Sequence, residues 1–409
     1  MKTAGIIAEY NPFHQGHHYH IEKTRRLTNA DYIVVVMSGN FTQRGQAAIM
    51  DKYRRARQAL ENGADLVLEL PVCFATASAK IFAFGGVSLL DRLGIIDILS
   101  FGSEGGALEE IQQLAAFLLK EPDDFKTALQ KALKQGFSYP KARFLALEKY
   151  FPERNTDALC LPNNILALEY CMALLSLNSS MKAVPVKRLH SGYHDKELSP
   201  DGCSSATAVR RALNQGFLSH LQEQLPSTVY RELKEEYGRT LPLDINDFSS
   251  LLHYRLFLNE QEDFTVYFDV HKELSDRIRN HRYSFSNYEN FCDLLKTKEL
   301  THSRISRSLL HILLNIKESD MTRYKEEGYS RYGRILGLRK SASPLLHAIK
   351  QNASVPLISK LADLAGKLDP ASNSMLETDI RAAHIYESIL SAKFNSPFRD
   401  EFRRRLPVI

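Results

Sequence analysis

Short apolar runs alternate with longer amphipathic stretches up to about residue 190 of the chain. The apolar runs are continuous, which is typical of strands that are covered on both faces. They predict strands over Thr3–Glu9, Tyr32–Met37, Asp65–Glu69, Asp97–Phe101 and Met181–Val186. The stretches between them predict helices over His17–Thr28, Asp51–Asn62, Thr76–Leu93, Leu108–Lys120 and Asn163–Leu177. This alternation predicts an α/β fold, a doubly wound parallel sheet with helices on both faces.

The pattern changes after about residue 204, where helical periodicity dominates. It predicts helices over Ser205–Asn214, Leu218–Gln224, Val229–Glu236, Phe248–Leu258, Tyr288–Leu295 and Ser303–Ile316. Further on it predicts short strands at Arg334–Gly337 and Val355–Ile358 around a helix over Pro344–Gln351, then a helix over Met375–Ala392 and a basic tail over Arg399–Arg405. We therefore expect a sheet-bearing domain over residues 1–215 and a mainly helical region over residues 216–409.

The net charge of +5 is distributed unevenly along the chain. The segment Ser275–Lys350 holds fifteen Lys and Arg against eight Asp and Glu, so it carries the whole basic excess. Such a segment indicates a polyanionic partner. Its arginines interleave with tyrosines, a composition that suits RNA phosphates and splayed bases, although a solvated helical face is the alternative. The arginines predicted to contact RNA are Arg331, Arg334 and Arg339.

Composition also limits where the protein is expected to work. No apolar stretch approaches the ~20 residues that span a bilayer, and the run Ala4–Ala8 is too short for a signal-peptide core. The five cysteines are scattered and form no C-x-x-C pair, so a disulfide framework or zinc ribbon is not expected. These features predict a cytoplasmic protein with reduced thiols. The oligomeric state is left open.

The exit of the first strand carries the sharpest local motif, which runs Glu9-Tyr10-Asn11-Pro12-Phe13-His14-Gln15-Gly16-His17. Asn11-Pro12 predicts a turn, Gly16 allows a close backbone approach, and a helix begins near His17. Free N–H groups and the positive end of the helix dipole would favour phosphate there. Two imidazoles in H-x-G-H spacing could then donate to the α- and β-phosphates as charge develops in the transition state. His14 and His17 are therefore the predicted catalytic residues.

Two other interpretations of this motif remain open. Four histidines lie within seven residues, at His14, His17, His18 and His20, and could bind zinc, although no second ligand cluster completes a site. They could also be ordinary core or surface histidines.

A second motif lies about 190 residues further along, Ser205-Ala206-Thr207-Ala208-Val209-Arg210. Hydroxyls and N–H groups at a helix start, with a guanidinium one turn in, suit a clamp for the β- and γ-phosphates. By itself the motif is better explained as a simple N-cap. Paired with the first motif, it predicts half of a bipartite ATP site.

The pair H-x-G-H and S-x-T-x-[IV]-R is similar to that of nucleotidyltransferases related to class I aminoacyl-tRNA synthetases. Four segments resemble, more narrowly, the tRNA(Met) cytidine acetate ligase family. They are the first-strand exit at residues 9–17, Met37-Ser38-Gly39-Asn40-Phe41-Thr42-Gln43-Arg44-Gly45, Leu161-Pro162-Asn163-Asn164-Ile165-Leu166-Ala167-Leu168-Glu169-Tyr170 and Arg188-Leu189-His190-Ser191-Gly192-Tyr193-His194. The resemblance covers residues 1 to about 215.

The resemblance implies a specific reaction. Such enzymes condense ATP with acetate to give acetyl-adenylate and pyrophosphate, and transfer the acetyl group to N4 of the wobble cytidine of elongator tRNA(Met). ATP is then a substrate, and Mg²⁺ is expected with its triphosphate. The implied ATP-binding residues are Ile7, Ala8, Glu9, Tyr10, Asn11, Pro12, Phe13, His14, Gln15, Gly16, His17, His18, Tyr19, His20, Gly102, Asn163 and Arg188, with Ser205, Thr207 and Arg210 in the clamp. Ala206 stands where the wider superfamily often has Ser or Gly, which removes one possible phosphate donor.

The residues outside the first strand have ordinary explanations too. Gly102 ends a strand, where a backbone can approach adenine or ribose, but it could be a turn glycine. Asn163 could be an N-cap, and Arg188 a surface ion pair. The loop Ser38–Gln46 is suspected to meet acetate or the tRNA base. An adenylyltransferase acting on a small metabolite, and a noncatalytic nucleotide-sensing or RNA-binding protein, are the alternative functions.

Overall fold

A computed structural model describes residues 1–105, 107–137, 139–151, 161–188, 198, 204–258, 263–364 and 367–409. Nine strands lie in these ranges: β1 (Thr3–Ala8), β2 (Tyr32–Ser38), β3 (Phe41–Thr42), β4 (Gln46–Ala47), β5 (Leu66–Leu70), β6 (Ile98–Ser103), β7 (Lys182–Lys187), β8 (Gly333–Leu338) and β9 (Leu357–Ile358). All five strands predicted before residue 190 are present. Residues 189–194 of the fourth quoted motif lie outside the described ranges.

The helices of the same ranges fall into two groups. Those before residue 200 are α1 (Gln15–Thr28), α2 (Lys52–Glu61), α3 (Val72–Ala75), α4 (Ala79–Arg92), α5 (Leu108–Lys120), α6 (Asp123–Lys134), α7 (Tyr139–Glu148) and α8 (Pro162–Ser176). Those after it are α9 (Ala206–Asn214), α10 (Ser227–Glu236), α11 (Ser249–Leu258), α12 (Lys272–His281), α13 (Tyr288–Leu295), α14 (His302–Leu314), α15 (Glu318–Glu326), α16 (Ser343–Asn352) and α17 (Pro370–Phe394). None of the described helices is long and apolar enough to span a bilayer.

Seven strands form one sheet in the order β7-β6-β1-β2-β5-β8-β9. The chain builds outward from β1 in one direction through β2 and β5, and then returns to add β6 and β7 on the other side of β1. These five strands are parallel. The topological switch point therefore lies between β1 and β6, where ligands of doubly wound sheets bind beyond the carboxyl ends of the strands.

Alternate residues of the central strands pack into two separate hydrophobic cores, one on each face of the sheet. Val34 and Val36 of β2 pack into a core with α4 and α8, whereas Ile33 and Val35 point to the opposite face with α1 and α2. Both faces are thus covered, which explains why the strands read as continuous apolar runs. The predicted doubly wound architecture is confirmed.

The region after residue 215 is mainly helical as expected, but it also completes the sheet. β8 pairs antiparallel with β5, and β9 extends the sheet beyond β8. β8 and β9 are the two short strands that the sequence predicts near Arg334–Gly337 and Val355–Ile358. The region after residue 215 therefore supplies one edge of the sheet that the first region builds.

Several predicted elements differ in detail. The helix expected over Leu218–Gln224 is a single 3₁₀ turn, Leu218–Leu221, held between Gly216 at φ 78° and Pro226. The helix expected over Thr76–Leu93 is α4, which begins only at Ala79 because its N-cap Ser78 has an extended backbone, and the short helix α3 precedes it. The hairpin of β3 and β4 and the helices α3, α6, α7, α12 and α15 are not among the predicted elements.

Candidate active site

A cavity opens at the switch point, between the carboxyl ends of β1, β6 and β7 and the start of α9. From the first-strand motif it is lined by Ile7, Ala8, Glu9, Tyr10, Asn11, His14, Gly16, His17, Tyr19 and His20. From the later segments it is lined by Gly102, Asn163, Arg188, Ser205, Ala206, Thr207 and Arg210. Two stretches about 190 residues apart in sequence therefore close around one cavity, as the bipartite site requires.

The exit of β1 is held in a defined shape by a buried guanidinium. Arg55 of α2 is fully buried and donates to the carbonyls of Glu9 at 2.6 Å and Ser38 at 3.1 Å, and also to that of Gly39. It thereby ties the ends of β1 and β2 together. Tyr10 follows with a positive φ of 48°, which turns the chain toward α1. Nothing in the local sequence around Arg55 indicates this role, because its partners are main-chain atoms of distant strands.

His14 and His17 form a reciprocal cap at the start of α1. The Nδ1 atom of His14 accepts from the Gly16 N–H at 3.1 Å, and that of His17 accepts from the His14 N–H at 3.3 Å. Their rings stack with centroids 3.7 Å apart. Because Nδ1 is an acceptor in both rings, each neutral imidazole carries its proton on Nε2. The pair therefore offers two N–H donors rather than two bases.

Burial keeps these imidazoles neutral. Desolvation, followed by the charges of Arg188 and Arg210, lowers the pKa of His14 to about 3. Desolvation and the neighbouring His14 lower the pKa of His17 well below its usual value, and burial lowers that of His20 to about 4. His20 contacts the Ser100 hydroxyl at 3.1 Å from Nε2. A polyanion in the cavity would thus meet neutral donors flanked by permanent positive charge.

The start of α1 does not offer the free backbone donors that the sequence suggested. The Gln15 N–H donates to the Gln224 carbonyl at 3.2 Å, and the Gly16 N–H is taken by His14. That part of the prediction is wrong, because the Gln224 carbonyl and the His14 side chain already accept from these N–H groups. The imidazole Nε2–H groups replace them as donors.

The second half of the site is joined to the first by a hydrogen bond. Ser205 is the N-cap of α9 and accepts from the Ala208 N–H at 3.1 Å. Arg210, one turn in, donates to the carbonyl of Asn11 at 2.8 Å and to the Thr207 hydroxyl at 3.2 Å. The N-cap interpretation is therefore correct for Ser205, and the same helix start also lines the cavity.

Asn163 connects two other predicted residues. Its Nδ2 donates to Glu104 Oε1 at 2.5 Å, while its Oδ1 accepts from Arg188 at 3.2 Å. It is not an N-cap, since α8 begins at Pro162 with Leu161 in the cap position. Gly102 lies within β6 and beside the stem of Arg188, so it is not a turn glycine. Glu104 thus holds Asn163, whose Oδ1 orients the Arg188 guanidinium directly, and Arg188 lines the cavity without pairing with a carboxylate of the described residues.

Four residues of the first motif do not line the cavity. Phe13 is buried in the core, and Gln15 is engaged with Gln224 through its main chain. His18 points outward and lies 3.7 Å from Glu22, and Pro12 is also absent from the lining. For Gln15 and His18 the periodicity of α1 explains this, because successive residues of a helix point in different directions, whereas Pro12 and Phe13 precede the helix.

The suspected loop reaches the cavity as a small hairpin. Thr42, Gln43, Arg44 and Gln46 line it, whereas Asn40 instead accepts from the Lys52 N–H at 2.8 Å. Gly45 forms the tip with φ 73°, and a Cβ there would lie 2.5 Å from the backbone of Arg307 in α14. The Ser306 hydroxyl donates to the Gly45 carbonyl at 2.8 Å. The helical region thus positions a wall of the site.

The apolar part of the cavity lining was not predicted from the sequence. It consists of Phe82, Phe101, Leu166, Tyr170 and Val186. Phe101 and Val186 end predicted strands at the expected edge of the sheet, which is a usable signal. The other three lie on helices, where an apolar residue ordinarily predicts core. Lys187 and Ser204 were missed as well.

The charges around the cavity favour an anionic ligand. Among the described residues, four cationic side chains line it, those of Arg44, Lys187, Arg188 and Arg210, against one carboxylate, that of Glu9. In the described part of the chain, no group of three or more His, Cys, Asp or Glu is arranged to hold a metal ion. The Nδ1 atoms of His14 and His17 already accept backbone N–H groups, and His18 does not line the cavity, which disfavours the zinc interpretation.

Of the three arginines predicted to contact RNA, Arg334 is buried, which contradicts the prediction. It is 3% exposed and pairs with Glu69 at 3.2 Å and Glu401 at 2.7 Å, so it cannot form part of a surface. The prediction treated Arg334 as surface charge, but the strand that carries it, β8, is covered on both faces. Arg331 is partly exposed and pairs with Glu327 and Asp369, and Arg339 donates to the Leu60 carbonyl. For these two, contact with RNA stays a prediction.

A doubly wound sheet with an H-x-G-H turn at its switch point defines a nucleotidyl transferase. In agreement, a family model described as HIGH nucleotidyl transferase matches residues 1–400. The tRNA(Met) cytidine acetate ligase of Caldicellulosiruptor saccharolyticus is 41% identical over 94% of both chains. That of Thermoanaerobacter sp. is 39% identical over 94% of this chain and 95% of the relative.

Two crystal structures of Thermotoga maritima TmcAL, each 31% identical, superpose over the full length of both chains. The apo form gives a TM-score of 0.93, and the form bound with alpha-thio ATP gives 0.90. The chain therefore belongs to the HIGH nucleotidyl transferases and, within them, to the tRNA(Met) cytidine acetate ligase family.

Proposed function

We propose that this protein activates acetate with ATP to form acetyl-adenylate and transfers the acetyl group to N4 of the wobble cytidine of elongator tRNA(Met), in the cytoplasm. The relatives are named tRNA(Met) cytidine acetate ligases, and one solved neighbour was crystallised with alpha-thio ATP. The strongest support in this chain is that two neutral histidine donors and two arginines converge on the switch-point cavity.

The residues suggest how adenylation proceeds. An acetate oxygen attacks the α-phosphorus of ATP, and pyrophosphate leaves. Negative charge then grows on the phosphate oxygens, where the Nε2–H groups of His14 and His17 can donate without first losing or gaining a proton. Arg188 and Arg210 offset the remaining charge. No protein nucleophile is required, because positioning and electrostatics supply the catalysis.

Mg²⁺ fits this site as a companion of the triphosphate. Glu9 is the one carboxylate among the described lining residues, so the protein offers too few oxygen ligands for a cage of its own. The ion would be held mainly by phosphate oxygens and would neutralise part of their charge.

The proposed activity makes a direct prediction. Acetate should drive exchange of labelled pyrophosphate into ATP in the absence of tRNA. With elongator tRNA(Met), labelled acetate should appear in N4-acetylcytidine, measured by mass analysis of the tRNA nucleosides. If exchange depends instead on another small metabolite, and AMP stays attached to that metabolite in the product, the protein is a metabolite adenylyltransferase. Absence of exchange with every carboxylate tested would contradict the proposal.

Exposed aromatic and basic side chains on α11 and around residue 283 offer a surface for the tRNA. Tyr254 and Tyr283 are 66% and 71% exposed. The Arg282 guanidinium lies 4.9 Å from the centroid of the Tyr283 ring, and the Phe257 ring packs 5.6 Å from it. Exposed rings beside a guanidinium can stack on unpaired bases, which sequence-specific RNA recognition commonly uses.

Replacing both tyrosines, Tyr254→Ala with Tyr283→Ala, is expected to weaken tRNA binding by about 1–3 kcal/mol for each lost stack. Pyrophosphate exchange should be unchanged, because neither ring lines the cavity. Binding is measured by filter retention of labelled tRNA at fixed salt. Tyr139→Ala, another exposed tyrosine, is the matched control. Equal tRNA affinity in the double variant and the control would move the RNA surface elsewhere.

A further inference from the structure

Glu9 stands out because it places a carboxylate in a cavity suited to phosphates. It follows the last residue of β1 and lines the cavity beside the hairpin of β3 and β4. No other acidic residue of the described chain lines this cavity, and four basic side chains do. A negative charge there opposes the binding of ATP. If Glu9 had no function in the reaction, its charge would only weaken the affinity for ATP.

The position of Glu9 is fixed at both ends. Its main-chain carbonyl accepts from Arg55 at 2.6 Å, and its Oε1 accepts from the N–H of Gln43 at 2.8 Å. Across the described residues, no basic side chain lies within ion-pairing distance of this carboxylate. One oxygen thus holds the hairpin, and no donor of the described residues hydrogen-bonds to Oε2, which leaves this oxygen available to accept a proton.

The transfer step needs a proton acceptor that the histidines cannot supply. The exocyclic amine of cytidine loses a proton when it becomes an amide. The Nδ1 atoms of His14 and His17 already accept backbone N–H groups, and their Nε2 atoms carry protons. In this arrangement both imidazoles are donors. The site therefore separates its hydrogen-bond donors, around α1, from its one carboxylate, at the end of β1.

We propose that the Glu9 carboxylate is the general base of acetyl transfer. This rests on the proposed function. The N4 nitrogen attacks the carbonyl carbon of acetyl-adenylate and forms the C–N bond, while its proton passes to Glu9. The bond between that carbon and the phosphate oxygen then breaks, and AMP leaves with the electron pair. The protonated carboxyl returns its proton to water after the product leaves, so the enzyme is regenerated.

Glu9 also anchors the hairpin, and the substitution Glu9→Gln separates that role from base catalysis. The glutamine amide oxygen can still accept from the Gln43 N–H, but it cannot take a proton from an amine. Glu9 also lines the ATP cavity, so acetate-dependent pyrophosphate exchange is the reference rate, and transfer should fall by a much larger factor than exchange does. Single-turnover transfer to tRNA should fall by about 10², the usual size of a lost general base. Glu9→Asp, which keeps a carboxylate, should recover part of the transfer rate.

Three results would decide against this assignment. If Glu9→Gln transfers the acetyl group at the wild-type rate, no base is needed at position 9. Equal losses of exchange and transfer, with unfolding temperature unchanged, would place Glu9 in ATP or acetate binding. Loss of both with a lower unfolding temperature would make it a structural anchor. Glu109→Gln, an exposed carboxylate on α5, is the matched control. Lack of acetate-dependent exchange in the wild-type protein would instead remove the proposed function itself.

Discussion

Replacing His14 or His17 by alanine is expected to lower the rate of acetate-dependent pyrophosphate exchange by about 10²–10³, the size of effect seen when a donor to a developing oxyanion is lost. Each imidazole offers a single Nε2–H, because its Nδ1 is committed to a backbone N–H. Alanine removes this donor at the point where charge grows. The measurement is the initial rate of label exchange at saturating ATP and acetate.

The same imidazoles cap α1, so the loss of a cap must be separated from the loss of a donor. Asparagine is a good N-cap, and His14→Asn should preserve the helix start without the Nε2–H. It should lose exchange as fully as His14→Ala while unfolding at a temperature nearer to the wild type. His18→Ala is the matched control, because that ring points away from the cavity toward Glu22. Exchange at the control rate in either alanine variant would show that the imidazoles are bystanders.

Replacing Arg334 by methionine is expected to destabilise the protein by about 3–5 kcal/mol, the cost of leaving buried charges without their partner. Arg334 lies directly opposite Glu69 in the pairing of β8 with β5 and also binds Glu401. Lys52 would be left alone to neutralise both carboxylates, which it contacts at 2.7 and 2.6 Å. The free energy of unfolding is measured by urea denaturation.

Arg403→Met is the matched control for this substitution. Arg403 is 89% exposed and has one long ion pair, 3.9 Å from Asp400, so its loss should cost about 0–1 kcal/mol. If Arg334→Met unfolds at the same urea concentration as the control, the buried network contributes nothing to stability.

Acid should weaken the same network. Burial alone would raise the pKa of Glu401, but the charges of Lys52 and Arg334 outweigh it and lower that pKa to about 2, from 4.5. Because the folded protein holds this carboxyl more acidic than the unfolded chain does, the contribution is complete above about pH 4.5. It is lost as pH falls toward 2. The wild type should therefore lose more stability than Arg334→Met over this range.

The buried network also explains why one predicted RNA contact failed. The count of basic residues between Ser275 and Lys350 is correct, but a count does not reveal which charges meet partners inside the protein. Nothing in the local sequence distinguishes Arg334 from the more exposed arginines near it. Its partners Glu69 and Glu401 come from distant parts of the chain, so only the pairing of β8 with β5 makes it internal. Tyr283, with a 71% exposed ring, was among the same interleaved residues and is better placed.

The sequence by itself determined the doubly wound sheet, the placement of the site at the end of β1, and its histidines. These follow from local properties, namely apolar periodicity, turn residues and the spacing of imidazoles, which persist whatever the chain packs against. Tertiary structure decided the rest: the Nε2–H protonation of His14 and His17, the Arg55 clamp, the hairpin wall and the isolation of Glu9. Each of these depends on which atoms from distant segments occupy the available donors and acceptors, and hydrogen-bond partners across hundreds of residues are fixed only when the chain has packed.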